Sequence, residues 1–396
     1  MIKKKSVKLI IFPGYFLPHI GGLETHIDEL SKFLSKDSKF NITIFAPNIP
    51  NAKKREIIHK NVEVIRYPAF EIVSNYPFPK FWNYGFWKVF IKLYSREFNV
   101  VMTRTRFFSN TALGLFFAKF RLKRIKLIHG EHGSGFVKVE SKFTNLVSFV
   151  YDKTMGKIVF LCADKIIAVS SVVEKFIKKD FVKNKKIAVI RRGIDFTKYE
   201  KIKPNKEILK KNKGKIIITT VTRLYKWKGV INLIKAFKSL PSTIRKKCVL
   251  IIGGYGEDFE RIKKETSLFL DKEIFLTGEL SFNEAAALMK ASDIYVHSSY
   301  PGGGQSSSLL VGMYCKCAIV ASPHEGAKET LQGNDCGILL KNNSPKEIAR
   351  GINDLVKNKK LREKYANNSH NLLITKYNWR DVVEKYDKLI SDILEK

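Results

Sequence analysis

Short, continuous apolar runs that stop at a glycine or proline turn and give way to a helical repeat recur along this chain, and that recurrence narrows the fold more than any other feature. Val7–Phe12 is the first such run and is broken by Pro13-Gly14; Gly21-Gly22 then opens a segment that sets Leu23, Ile27, Leu30 and Leu34 on one helical face. Ile42–Phe45, Val62–Ile65, Val100–Met102, Leu127–His129, Ile166–Val169 and Ala188–Ile190 repeat the run, with helical or irregular stretches between them. A strand that is apolar on both faces needs cover on both, which crossover helices give to a parallel sheet, so this half of the chain reads as parallel α/β. The turn after the first strand lacks the spacing of a G-x-G-x-x-G dinucleotide fingerprint.

Asp195–Lys215 is lysine-rich and poor in apolar residues, and it reads as a linker. Beyond it Ile216–Val221, Val249–Ile252, Ile274–Leu276, Ile294–Val296, Ala318–Val320 and Ile338–Leu340 alternate with helices as a second sheet. Two helix starts are explicit: Ser281 with Glu284 forms a capping box, and Ser344, Pro345 and Glu347 supply cap, first-turn proline and box partner. The chain has 396 residues, 44% of them apolar, whereas single cores stop growing near about 250–300 residues. Two domains are therefore expected, 1–195 and 215–375, joined by 196–214, with 376–396 as a terminal helix returning to the first domain.

The 72 Lys and Arg outnumber the 37 Asp and Glu, a net charge of +35, which points to a polyanionic partner: a phosphorylated substrate, an anionic membrane surface or nucleic acid. The lysines are dispersed, and no recognition helix, stacking-sheet motif or basic tail accompanies them, so nucleic acid is not expected. Between Phe78 and Lys126 eleven basic residues, among them Arg104, Arg106 and Arg124, face a single acidic one, Glu97. Trp82, Phe86, Val89, Phe90 and Leu93 share a helical face beside Lys88 and Lys92, and Trp87 lies within the same helix. That pattern suits a helix in a bilayer interface, with Trp82, Phe86, Trp87 and Lys88 as the membrane or acceptor surface. Five cysteines without C-x-x-C spacing argue against a disulfide framework or a structural zinc. The first apolar run is too short for a signal peptide, so a cytoplasmic protein peripheral to the inner membrane face is expected.

Three places carry candidate chemistry. His297–Gly326 joins a strand end, the glycines Gly302, Gly303 and Gly304, the hydroxyls of Ser306, Ser307 and Ser308 with a helix start, and a second glycine turn. A free helix N-terminus at the carboxyl end of a parallel strand is an anion site. Arg223 and Lys228 lie just past another strand end on a turn closed by Gly229, where two fixed cations can hold a diphosphate and offset charge on a leaving phosphate. His132, between Glu131 and Gly133, follows a strand, and its imidazole can bond a sugar or orient an acceptor hydroxyl; His129 competes for that role.

In order, Gly21-Gly22-Leu23-Glu24, Glu131-His132-Gly133, Ala168–Ile177, Ile190–Asp195, Thr222–Gly229, Ile251–Glu257, Thr277–Leu280, the glycine-rich stretch and His324–Thr330 resemble glycosyltransferase family four across about Lys8 to Trp379. The resemblance implies the GT-B fold, two Rossmann-like doubly wound domains facing each other across a cleft, with the nucleotide-sugar donor held mainly by the second. It also implies retaining transfer with no cofactor and no bound metal, from a UDP- or GDP-linked sugar to a lipid-linked or polysaccharide acceptor. Arg223 and Lys228 would grip the donor diphosphate and Gly21-Gly22 would lie against it; His132 would be the histidine near the transferred sugar. Gly303, Gly304, Ser306 and Ser307 complete the expected donor site.

The departures are specific. Where the family carries two glutamates with seven residues between them, this chain has Gly303 and Val311, neither of which accepts a hydrogen bond through its side chain. Losing one such bond costs on the order of 1.5–3 kcal/mol, roughly ten- to a hundredfold in affinity. Ser306–Ser308, Glu325 or backbone carbonyls are the available substitutes. Arg192 stands where asparagine is common, and Lys316 replaces a glycine. A GT-B scaffold or regulatory paralogue with weakened donor binding would carry the same departures, and it is the alternative to an active enzyme.

Overall fold

The computed structural model describes residues 6–36, 39–73, 76–123, 125–137, 141–301, 303–324 and 326–395. Met1–Gly193 with Trp379–Lys396 forms one compact unit and Ile194–Asn378 the other.

In the first unit the strands are β1 (Val7–Phe12), β2 (Phe40–Pro47), β3 (Arg55–His59), β4 (Val62–Tyr67), β5 (Ala69–Val73), β6 (Tyr76–Pro79), β7 (Val100–Arg104), β8 (Lys126–Glu131), β9 (Lys165–Ala168) and β10 (Ile187–Val189). Eight of them form one sheet in the order β10-β9-β8-β7-β1-β2-β4-β3, and β5 pairs with β6 separately. Every pairing in the large sheet is parallel except β3 with β4. Each apolar run read from the sequence is one of these parallel strands; β3 and the β5–β6 hairpin went unread. The winding reverses between β1 and β7, so the crevice outside their carboxyl ends is where such a sheet takes ligands. Leu9, Ile11, Val100 and Met102 face a core closed by Ile27, Leu30 and Leu34 of the helix Gly22–Leu34 and by the terminal helix Trp379–Leu394. Ile10, Phe12, Val101 and Leu127 face the opposite core.

The second unit has β11 (Ile216–Val221), β12 (Cys248–Gly253), β13 (Ile274–Leu276), β14 (Ile294–His297), β15 (Ala318–Ala321) and β16 (Ile338–Leu339), ordered β13-β12-β11-β14-β15-β16 and parallel throughout. Here the winding reverses between β11 and β14. Residues 196–214, expected as a linker, carry two short helices, Thr197–Glu200 and Lys206–Lys211, and group with this unit. Tyr199 is buried there, and the Lys290 ammonium donates to the Tyr199 and Ile202 carbonyls at 2.6 and 2.7 Å. The Ser281–Glu284 capping box forms in full. At the helix Pro345–Lys357 the Ser344 hydroxyl caps the Glu347 N–H, but the Glu347 carboxylate pairs with Arg350 and the box stays open.

The terminal helix is fixed to the first unit by its first residue. The buried Trp379 ring stacks on Phe33 at 5.4 Å and on His26 at 5.6 Å, and its N–H donates to Glu29 at 3.1 Å. A Cβ at Gly193 would lie 2.8 Å from that indole. Trp379→Ala is expected to lower unfolding free energy by about 3–5 kcal/mol in denaturant titration; a loss below about 1 kcal/mol would contradict this packing role.

Candidate functional site

In the second unit four turns meet at the carboxyl edge of the sheet, on both sides of the β11/β14 reversal. The Thr222–Gly229 turn leaves β11 with the Thr222 N–H bonded to the Gly253 carbonyl (3.0 Å) and the Leu224 N–H to the Tyr255 carbonyl (3.0 Å). It ends at Gly229, whose φ of +67° favours glycine and whose added Cβ would meet the Ser298 carbonyl oxygen at 2.1 Å. The Ser298 hydroxyl donates to the Lys228 carbonyl at 2.9 Å, and the Tyr300 N–H to the Trp227 carbonyl at 2.7 Å. The turn carrying Arg223 and Lys228 is thus clamped to the segment that follows β14. Arg223 is exposed and sits 5.8 Å from the Tyr225 ring centroid, with no ion pair among the described residues. The partly buried Lys228 ammonium lies over the Trp227 ring at 3.9 Å.

Next along the β14 segment come Gly303 and Gly304; the backbone of Gly304 packs against Gly326, where a Cβ would stand 3.0 Å from the Gly304 oxygen. Gly326 has φ +77° and precedes the short helix Ala327–Leu331. Ser306 is the cap of the helix Ser307–Tyr314, its hydroxyl accepting from the Leu309 N–H at 3.4 Å. Ser306, Ser308 and Tyr295 form a hydroxyl chain with steps of 3.2 and 2.8 Å. Arg223, Lys228, Gly303, Gly304, Ser306 and Ser307 are therefore brought to one sheet edge. Val311 packs in the apolar cluster beneath, as a valine should. Gly302 and Glu325 lie outside the described residues.

In the first unit His132 is placed by its neighbour. The fully buried Glu131 carboxylate accepts from the backbone N–H of His132 (3.0 Å), Gly133 (2.7 Å) and Arg106 (3.0 Å). It also faces the Arg106 guanidinium at 3.3 Å and His129 at 3.3 Å. Arg106 continues to Asp152 at 2.8 Å, and His129 to the Thr103 hydroxyl at 2.9 Å. Against the effect of burial, Arg106, His129 and the Gly133 amide hold the Glu131 carboxyl at about 2. His129 is thus committed to the framework, leaving His132 as the histidine open to other partners. His132 keeps some exposed surface, but its Nε2 is inaccessible and has no partner among the described residues. Burial, then the Arg104 cation, lower its pKa to about 3, so the ring is neutral at physiological pH.

Gly21 starts the helix Gly22–Leu34 in extended conformation, and Gly22 is exposed. The Arg192 guanidinium, buried, donates to the Gly22 carbonyl at 3.2 Å and lies 3.9 Å from Glu29, so the residue that replaces the usual asparagine pins this turn. The sequence reading missed Tyr15 and His19 beside it, and gave Glu24 no role: His19 bonds Glu24 at 2.9 Å and stacks on Tyr15 at 4.2 Å.

The expected membrane face needs correction. Phe86 is 0% exposed and, with Phe90 and Leu93, packs into the core; the apolar stripe of the helix Tyr84–Tyr94 faces inward. What remains outside is Trp82 (72% exposed), Tyr84, Trp87 (44%) and Ile91, next to exposed Lys88 and Lys92. Arg104 and Arg106, counted with the basic segment, are fully buried, and Arg124 lies outside the described residues. A second apolar surface was not anticipated: the helix Lys142–Tyr151 has no buried residue and exposes Phe143, Leu146, Val147 and Val150 at helical spacing. No described helix is long and apolar enough to cross a membrane.

Comparison with known proteins agrees with this geometry. Residues 20–198 match "Glycosyltransferase Family 4" and residues 201–372 match "Glycosyl transferases group 1". An uncharacterized glycosyltransferase of Methanocaldococcus jannaschii is 54% identical over 390 residues, covering 98% of this chain and all of the relative. The N,N'-diacetylbacillosaminyl-diphospho-undecaprenol alpha-1,3-N-acetylgalactosaminyltransferase of Campylobacter jejuni is 25% identical, covering 96% of this chain and 98% of its own. Sucrose-phosphate synthase from Thermosynechococcus elongatus superposes with a TM-score of 0.78 at 16% identity, over 99% of this chain and 100% of that one. Fold and relatives together define a glycosyltransferase with the GT-B architecture. Within that class, the chain belongs to glycosyltransferase family four.

The buried histidines give a pH prediction. His26, His129 and His132 all have pKa values lowered chiefly by burial. Below about 6.5 the unfolded chain binds protons that the folded one refuses, so stability falls as pH drops from about 6.5 toward 3, by up to about 1.4 kcal/mol per pH unit per proton. Denaturant titrations across this range should show that loss, with a shallower slope in His132→Gln; stability flat from pH 6.5 to 4 would contradict neutral burial.

Proposed function

We propose that this glycosyltransferase is a retaining, metal-independent hexosyltransferase that moves a sugar from a UDP- or GDP-linked donor to a lipid-linked or polysaccharide acceptor at the cytoplasmic membrane face. One observation carries the donor half: the Arg223–Lys228 turn is clamped by backbone contacts to the segment after β14, at the point where the second sheet reverses its winding. Two cations and the start of the helix Ser307–Tyr314 at one edge suit a diphosphate, and they offset the charge that grows on it as the sugar departs.

The chemistry needs little else from the protein. In a front-face displacement the acceptor oxygen bonds the anomeric carbon on the side from which the diphosphate leaves, and the leaving phosphate oxygen takes the acceptor's proton. A neutral His132 then bonds a sugar or acceptor hydroxyl without itself carrying that proton away. With Gly303 and Val311 in place of carboxylates, donor hydroxyls fall to Ser306, Ser307 and backbone groups, and donor affinity is accordingly modest.

The acceptor half rests on chemistry and kinship. The Campylobacter relative is named for an undecaprenol-diphosphate-linked acceptor, and Trp82 and Trp87 beside Lys88, on a chain of net charge +35, suit an anionic lipid surface. The helix Lys142–Tyr151 offers a second apolar contact to the same surface.

Radiolabelled nucleotide sugars incubated with the protein and membrane lipid extract should give one lipid-extractable product, undiminished by chelator and lowered at least about a hundredfold in Arg223→Ala/Lys228→Ala. No transfer from any donor by folded protein would sink the proposal in favour of a GT-B scaffold. In flotation with anionic liposomes, Trp82→Ser/Trp87→Ser should bind more weakly; unchanged binding would remove this surface as the anchor.

A further inference from the structure

The first sheet also has a reversal point, between β1 and β7, and polar atoms gather there that the fold leaves without partners. Arg104 ends β7 and is 0% exposed. Its Nη1 donates to the Tyr386 hydroxyl at 3.1 Å, while Nε and Nη2 have no partner among the described residues. Among the described residues no carboxylate pairs with it, in contrast to Arg106, which has both Glu131 and Asp152. The side chain lies across β8 opposite Gly130, where a Cβ would come within 2.4 Å of Nη1.

His26 and His132 lie beside it, and Thr105 is its neighbour in the chain. Among the described residues His26, 1% exposed, on the helix after β1, has both ring nitrogens without partners, and its ring is 5.3 Å from that of His132, whose Nε2 is likewise unbonded. Thr105 follows Arg104 with φ +61°, a strained conformation for a β-branched residue, and its hydroxyl also lacks a partner. The strain is held in place: the Thr105 N–H bonds the Gly130 carbonyl at 2.9 Å, and the Thr111 hydroxyl is 2.9 Å from the carbonyls of both Arg104 and Thr105.

Buried polar atoms without partners are rare, and a buried cation without a counter-charge is costlier than either a paired one or a neutral group. Water can satisfy the imidazoles and the hydroxyl, but it brings no charge to set against the guanidinium. A tetrahedral oxyanion does both, since it accepts from arginine, imidazole N–H and hydroxyl together. Strained backbone at the carboxyl edge of a reversal point is a second, independent mark of a ligand position.

We propose that Arg104, Thr105, His26 and His132 form an oxyanion site of the phosphate class in the first unit, and that it receives the phosphate of a phosphorylated acceptor. The acceptor assignment rests on the transfer reading above; the oxyanion site does not. His132 is the site's one partly exposed member. The site's residues all belong to the first unit, and the Arg223–Lys228 turn belongs to the other.

Calorimetry with inorganic pyrophosphate on the full chain tests the site without needing activity. Wild type and Arg223→Met should share a binding event that Arg104→Met weakens about ten- to a hundredfold. Unchanged affinity in folded Arg104→Met, or a loss confined to Arg223→Met, would overturn it. Should Arg104→Met fail to fold, His26→Phe, which keeps a ring against Trp379, decides by the same comparison, and unchanged binding there overturns the site. A polyprenyl monophosphate in detergent micelles supplies the other arm: binding tighter than inorganic phosphate and dependent on Arg104 supports the acceptor assignment, and equal binding refutes it in favour of free phosphate. Sugar transfer that fails while Arg104-dependent binding persists would count against the enzyme reading alone.

Discussion

The second unit depends on backbone approaching backbone with no room for a side chain. At Gly229 an added Cβ would stand 2.1 Å from the Ser298 oxygen, at Gly254 1.9 Å from the Thr222 oxygen, and at Gly256 2.7 Å from the Leu224 oxygen. These contacts draw the turns after β11, β12 and β14 into one rim at the carboxyl edge of a sheet that reverses its winding there. Arg223 and Lys228 are positioned by that rim, and the exposed Arg223, with no ion pair among the described residues, is available to an anion. A site assembled from main chain is stiff, and stiffness is what electrostatic stabilisation of a leaving group requires.

The first unit solves a different problem, that of placing a neutral histidine among cations. Glu131 spends its carboxylate on Arg106, on His129 and on the amides of the loop that carries His132, so the loop is fixed while the His132 ring is left unbonded at Nε2. Burial, and after it the Arg104 cation, keeps the neighbouring imidazoles of His26 and His132 unprotonated. Positive charge therefore accumulates at the reversal point of this sheet as it does in the other, by burial here and by exposure there.

Much of this was legible in the sequence because parallel strands covered on both faces must be apolar on both, and such runs stand out in a chain with 28% charged residues. The antiparallel β3, half exposed and rich in charge, has no such mark, and neither does the β5–β6 hairpin with its two prolines. Phe86 was misread because an aromatic stripe beside lysines has the same period whether it meets lipid or a core; the contacts of Tyr67 and Phe90 with its ring decide for the core. The glycine turns and the cations Arg223 and Lys228 were readable from their place after strand ends. Arg192 was not, since its partners Gly22 and Glu29 lie far away along the chain. Arg104 and Arg106 looked alike in a run of basic residues, and only the placement of Glu131 and Asp152 around one of them separates a neutralised arginine from an unpaired one.

The central claim is that Arg223 and Lys228 clasp the diphosphate of a nucleotide. Titration calorimetry of UDP and GDP into the wild type and into Arg223→Ala/Lys228→Ala measures it directly. Saturable heat with one nucleotide in the wild type, lost or weakened by at least about a hundredfold in the folded double variant, is the result the account predicts. Equal affinity in both proteins, or no heat with either nucleotide, would contradict it.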